Sequence, residues 1–153
     1  MVDAVARCVE VEGPIHRDLL ARRITVAWGH QRARSRIRAH IDEAVSITVR
    51  KGSVRRRGDF LWPPADPEIV PREGADREID HMPVEELVRG MTIVLEHAMS
   101  LTEDELVTQT ARLFGYQRTG SAIDRRLRDV IRLACKAGTL EAKDRRYQLP
   151  PSD

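Results

Sequence analysis

Arginine is the side chain through which this sequence is best equipped to do chemistry. The stretch WGHQRARSRI, residues 28–37, gathers Arg32, Arg34 and Arg36 just after a Gly–His pair, with Arg38 following. SVRRRGDF, residues 53–60, sets Arg55, Arg56 and Arg57 side by side with no nearby balancing acid beyond Asp59. A later helical pattern repeats cations as Arg125, Arg128, Arg132 and Lys136. A guanidinium carries a permanent charge and a planar fork of donors that matches phosphate. These clusters point to non-covalent recognition of a polyanion, dominated by backbone phosphates, salt-sensitive and weakly sequence-specific.

Bond-making chemistry lacks its usual arrangements. There is no Gly-rich phosphate loop of the Walker type, and His16, His30, His40, His81 and His97 are scattered without HExxH or Cys/His spacing. His16 and His30 read as helix-end residues. Glu141-Ala142-Lys143 spells the E-x-K of many restriction nucleases, but it falls in a hairpin pattern, and the nearest upstream acid, Asp129, falls in a helical one. A paired-carboxylate metal site needs both acids on adjacent strands. Ser35 and Ser121 suit helix starts better than nucleophilic roles. Cys8 and Cys135 sit in apolar helical patterns and read as buried, reduced thiols. The expectation is a nonenzymatic protein with no catalytic residue, metal, cofactor or small-molecule substrate.

The elements that must hold the arginines come in two copies. Sliding the sequence by 86 residues matches Gly29 with Gly115, Gln31 with Gln117, Arg32 with Arg118, Ser35 with Ser121, Ile37 with Ile123 and Gly52 with Gly138. A fixed spacing of this kind marks a duplicated structural unit. Beyond Gly52 an offset of 87 pairs Phe60 with Tyr147, Trp62 with Leu149 and Pro63 with Pro150, which predicts one inserted residue at a hairpin tip. Each copy reads as three helices and a β-hairpin. The first predicts helices near 2–11, 17–28 and 33–51 with a hairpin over 53–62. In the second, Pro83 suits a first helical position, Thr102–Glu105 is a capping-box sequence, a third helix runs from about Thr119 to Ala137, and a hairpin turns around Lys143-Asp144. The fold class is mainly α with small β-hairpins (α+β), arranged as tandem winged helix-turn-helix repeats. The predicted domains are 1–64 and 83–153, joined by an acidic, Pro-rich linker over 65–82. Pro83 maps ahead of Met1, so the first copy lacks its opening helical turn and the chain is expected to be a piece cut from a longer polypeptide.

Charge follows the same division. Residues 1–64 carry 13 Lys/Arg against 7 Asp/Glu, residues 65–83 carry 2 against 6, and residues 84–153 carry 11 against 11. At about 100° per residue, the third helix of the first copy turns Ser35, Asp42, Ser46 and Arg50 outward, with Arg32 and Arg36 flanking its N-terminal end. Helix N-terminal N–H groups favour phosphate there. The second copy's third helix presents Arg125, Arg128, Arg132 and Lys136. Arg32 and Arg118 read either as nucleic-acid contacts or as ties that hold the turn before each third helix. With no apolar run near bilayer length and no cleavable-signal layout, the expected location is cytoplasmic.

VEGPIHRDLLARRITVAWGHQRARSRI…GDFLWP and LTEDELVTQTARLFGYQRTGSAI…GTL resemble an uncharacterised C-terminal domain of large bacterial proteins. Those proteins are similar to superfamily I DNA/RNA helicases, and some carry a Vsr-like restriction-endonuclease domain. The first copy departs from the pattern, with Arg34 where the second has Gly120. The resemblance implies a tail on a nucleic-acid-processing machine in phage defence or DNA repair; its motor and nuclease motifs do not occur in this sequence. The function expected is DNA binding as an accessory module, with the rest of a helicase-like polypeptide as second partner and no membrane. The alternative is a docking or autoinhibitory module that contacts the parent's motor domains. A free-standing transcription regulator is a weaker third reading.

Overall fold

A computed structural model describes residues 1–30, 35–74 and 76–152. The chain is α+β and divides into two units, Met1–Glu68 and Ile69–Asp153. The first runs α1 Val2–Glu12, β1 Ile15–His16, α2 Arg17–Ala27, α3 Ser35–Arg50, β2 Arg55–Arg57 and β3 Phe60–Trp62. The second runs α4 Val84–Ala98, β4 Ser100–Leu101, α5 Glu103–Leu113, α6 Ser121–Lys136, β5 Glu141–Lys143 and β6 Arg146–Gln148. No helix among the described residues is long and apolar enough to cross a membrane.

Helical spacing of apolar residues builds both cores. In α3, Ile41, Ala44, Val45 and Thr48 are buried, a spacing of i, i+3, i+4 and i+7 that lines one face of a helix. In α6 the buried residues are Leu127, Val130, Ile131 and Ala134, each 86 positions later. Val5 and Val9 of α1 correspond in the same way to Met91 and Leu95 of α4. Local signals start and stop these helices. The His16 imidazole accepts the Asp18 N–H at the head of α2, and Thr102 with Glu105 forms a complete capping box at the head of α5. Pro83 stands one position earlier than expected, as the residue preceding the first turn of α4.

The duplication extends to individual backbone hydrogen bonds. Gly29 N–H donates to Val26 and His30 N–H to Thr25; Gly115 donates to Arg112 and Tyr116 to Ala111. Gly52 donates to Val49 and Ser53 to Thr48; Gly138 donates to Cys135 and Thr139 to Ala134. Gly29 and Gly115 have φ of 79° and 86°, left-handed values that turn the chain sharply out of α2 and α5.

The hairpins keep the same offset, which corrects the expected shift to 87. In the first sheet, ordered β1-β3-β2, Ile15 pairs with Leu61 and Arg56 with Leu61. In the second, ordered β4-β6-β5, Leu101 pairs with Tyr147 and Ala142 with Tyr147. Leu61 and Tyr147 are therefore equivalent, 86 apart. Both tips are two-residue turns, Gly58-Asp59 and Asp144-Arg145, so neither contains an inserted residue. The Phe60/Tyr147 match reflects aromatic character, not position in the ladder.

The stretch expected as a linker divides between the units. Asp66 pairs with hairpin arginines of the first. Ile79 and Met82 lie in the core of the second, and Arg77, nearly buried, forks onto Glu86 at 2.8 and 3.2 Å. Apolar burial and a desolvated ion pair thus draw the later half of this segment onto α4.

Candidate nucleic-acid interface

Strand alternation splits the arginine triple of the first hairpin. Arg56 lies opposite the buried Leu61, and its side chain lines a small hollow of about 160 Å³ with Arg17, Asp42 and Ser46. It is exposed, and its Nε donates to the Gly58 carbonyl at 3.0 Å. Arg55 and Arg57 occupy the other face, as successive odd positions of a strand must. Arg55 donates to the Pro63 carbonyl at 2.9 Å and to Asp66 at 2.6 Å; Arg57 donates to Asp66 at 3.1 Å and stacks 4.4 Å over the Trp62 ring. The hydrogen bond and charge of Arg55, with help from Arg57, hold the Asp66 carboxyl below its usual pKa. Two of the three hairpin cations are therefore already partnered. The sequence shows only Asp59 beside them, because Asp66 arrives from the proline-rich segment that folds back after β3.

Arg36, in the first turn of α3, and Arg50, in its last, are exposed, and neither has an ion pair among the described residues. Arg32 lies outside the described residues. In the second unit Arg118, Arg125 and Lys136 are exposed, also without an ion pair among the described residues. Arg132 pairs with Asp129 on its own helix.

Arg128 departs most from the sequence expectation. It sits one residue past the buried Leu127, hence about 100° round the helix from the core line and turned toward α5. There it binds Asp104 at 2.6 Å, Glu103 at 2.8 Å and Asp124 at 3.0 Å. Hydrogen bonds to Asp124, then Asp104 and Glu103, raise its pKa further, and the bond it donates lowers that of Asp124. Arg128 is a clasp between α5 and α6, not an open cation.

The first unit has the same clasp with its charges exchanged. Arg17 of α2 donates to Asp42 of α3 at 3.3 Å, and these positions become Glu103 and Arg128 after 86 residues. Asp18 and Arg38, also paired, become Asp104 and Asp124. The four positions are neutral in the first unit, with two cations and two anions. They carry one cation and three anions in the second. These positions of the second unit thus carry a net charge of two negatives where the first unit's are balanced.

Other candidate residues have ordinary roles. His16 caps α2, as noted. Glu141 of the E-x-K sequence accepts from Gln148 at 3.0 Å, and the facing strand β6 carries Arg146, Tyr147 and Gln148 instead of a second acid. Cys8 and Cys135 are free and half-buried; burial pushes the Cys8 thiol up to about 11 and raises that of Cys135.

A family model described as a protein of unknown function (DUF3320) matches residues 1–39, which hold α1, β1, α2 and the start of α3. No curated protein and no solved structure matches the chain.

Proposed function

We propose that the two units are tandem winged helix-turn-helix repeats, and that together they bind the phosphate backbone of DNA as a nonenzymatic accessory module of a larger helicase or nuclease protein. The order helix, strand, helix, helix, hairpin, with each hairpin laced to a short strand ahead of the second helix, supports the first part. One observation carries the second. Arg36, Arg50 and Arg56 in the first unit, and Arg118, Arg125 and Lys136 in the second, are exposed and bear no ion pair among the described residues. Solvated guanidinium and ammonium groups on the third helices, ahead of α6 and on the first hairpin are free to replace counterions along a duplex. Arg55 and Arg57, sharing Asp66, contribute less, and Arg128 contributes nothing directly. The single carboxylate of the E-x-K strand supports a binding role without hydrolysis.

Fluorescence anisotropy with labelled duplex, forked and single-stranded DNA tests this reading. If these six cations each neutralise a phosphate, the logarithmic salt slope is about −5.4, and affinity falls on the order of 2,000-fold between ~50 and ~200 mM salt. The triple variant Arg36→Ala/Arg50→Ala/Arg56→Ala is expected to flatten that slope by about 3, whereas Arg128→Ala leaves it unchanged. Wild-type affinity in the triple variant, or no salt-dependent binding to any of the three DNAs, removes the proposal.

A further inference from the structure

We propose that the cleft between α1 and α2 of the first unit is a docking groove for an amphipathic helix of a partner protein, one whose apolar stripe is flanked by acidic side chains. The cleft encloses about 660 Å³. Its walls carry Val11, Val26 and Trp28, which are 68%, 61% and 49% exposed, large apolar side chains gathered on one face. Arg7, Arg22 and Arg23 stand on its rim with Glu12 as the one carboxylate among the lining residues. Arg23 pairs with Glu12 at 3.1 Å, Arg7 reaches Glu10 at 3.3 Å between two largely exposed side chains, and Arg22 has no ion pair among the described residues. An apolar floor under a cationic rim fits an apolar stripe with acidic flanks. A bare phosphate backbone has nothing to place on the floor.

The second unit shows that the fold does not require these features. Its equivalent cleft, about 520 Å³ between α4 and α5, places Ile93 at the position of Arg7 and Gln109 at that of Arg23; Thr108 stands at the position of Arg22. The aromatic residue equivalent to Trp28 is Phe114, and it is fully buried. The same pair of helices is thus held together with no cation at the positions of Arg7, Arg22 and Arg23 and with its Phe114 ring buried; Arg112 and His97, which line this second cleft, stand where the first unit has Val26 and Val11. The rim arginines and the exposed ring are extra to the packing of the first unit, and an exposed tryptophan in an apolar cleft is the usual anchor of a protein interface. The groove shares none of the cations assigned to DNA, so it stands independently of that reading.

Isothermal titration calorimetry of the full chain tests the groove with two synthetic helical peptides. Both carry the same leucine stripe; one is flanked by glutamates, the other by lysines. The acidic peptide is expected to bind at least 10-fold more tightly. Trp28→Ala and, separately, Arg22→Glu are each expected to weaken it at least 5-fold while leaving DNA affinity unchanged. The exposed Arg22 site keeps the test readable if Trp28→Ala loosens the helices. Equal binding of the two peptides, no binding of either, or undiminished binding by both variants overturns the proposal. So does sedimentation showing a wild-type dimer that Trp28→Ala dissociates, which assigns the groove to a second copy of the chain.

Discussion

Ala4 and Gly90 occupy equivalent places in the first helices of the two units, and a single methyl group separates their surroundings. At Gly90 the missing Cβ leaves room for the Phe114 ring, whose nearest atoms lie 2.5 and 2.7 Å from where a Cβ would stand. Phe114 is fully buried as a result. In the first unit Ala4 stands at that position, and the aromatic is the larger Trp28, which stays half in solvent. The hairpins differ too, with Arg55-Arg56-Arg57 in one and Glu141-Ala142-Lys143 in the other. One backbone plan has been kept while its side chains were reassigned. The difference teaches that repeated backbone geometry does not imply repeated surface.

The strongest break of this comparison lies at Glu86, in a brace with no counterpart among the first unit's described residues. Its carboxylate is 1% exposed and receives the Arg77 fork, the Arg72 backbone N–H at 2.9 Å and the Arg72 guanidinium at 3.2 Å. Glu86→Ala strands a nearly buried Arg77, and the expected loss is about 3–5 kcal/mol from the second unit alone. Urea unfolding can resolve the units, because both tryptophans lie in the first and both tyrosines, Tyr116 and Tyr147, in the second. Tyrosine absorbance is expected to report the loss and tryptophan fluorescence to miss it. The pH dependence has a definite sign. Burial alone would raise the Glu86 pKa, but the bonds from Arg77 and Arg72 outweigh it and leave the folded value lowered. Its stabilisation is therefore fully present above the unfolded glutamate pKa of ~4.3 and is lost as pH falls through the folded value. The gap between wild type and Glu86→Ala narrows on acidification; a gap that widens contradicts the assignment.

A smaller break comes from Gly90→Ala. The added methyl meets ring carbons that cannot move without displacing the core, and overpacking of this kind costs about 1–3 kcal/mol. The reverse change, Ala4→Gly, loses only helix propensity, about 1 kcal/mol. The two variants should register on opposite probes, tyrosine for the first and tryptophan for the second. Equal tolerance at both positions would mean that Phe114 does not depend on the glycine.

What was legible in the sequence was what neighbours along the chain determine. Gly29, Gly115, Gly52 and Gly138 mark helix ends through backbone conformation, and Thr102 with Glu105 announces a helix start through bonds three residues apart. Ile41 and Leu127 are buried for a reason of the same local kind, the helical spacing of their apolar neighbours. Partners brought in from elsewhere were not legible. Asp66 reaches Arg57 from nine residues away around a turn, and Glu103 reaches Arg128 from a different helix. A helical wheel tells core from non-core but not solvent from neighbouring helix, so Arg128 read as open when it is clasped. The α1/α2 groove was hidden similarly, since Trp28 and Phe114 are both aromatic in the sequence and only the fold leaves one half exposed and buries the other.

The exchanged clasp offers the finest test, and the smallest effect. Arg17→Glu puts two acids together at the α2–α3 contact, and Asp42→Arg puts two cations there; each is expected to cost the first unit about 0.5 kcal/mol, since the pair is partly solvated. The double variant Arg17→Glu/Asp42→Arg reproduces the polarity that Glu103 and Arg128 use at the equivalent place. If the backbone plan alone sets the contact, the pair is expected to recover most of the loss, measured as a coupling energy by tryptophan-monitored urea unfolding. Additive losses would mean that polarity is set by the surrounding charges, chiefly the Asp18–Arg38 pair beside it. The swap conserves net charge and exchanges one clasped cation for another, so the DNA salt slope is expected to stay unchanged, as it does for Arg128→Ala.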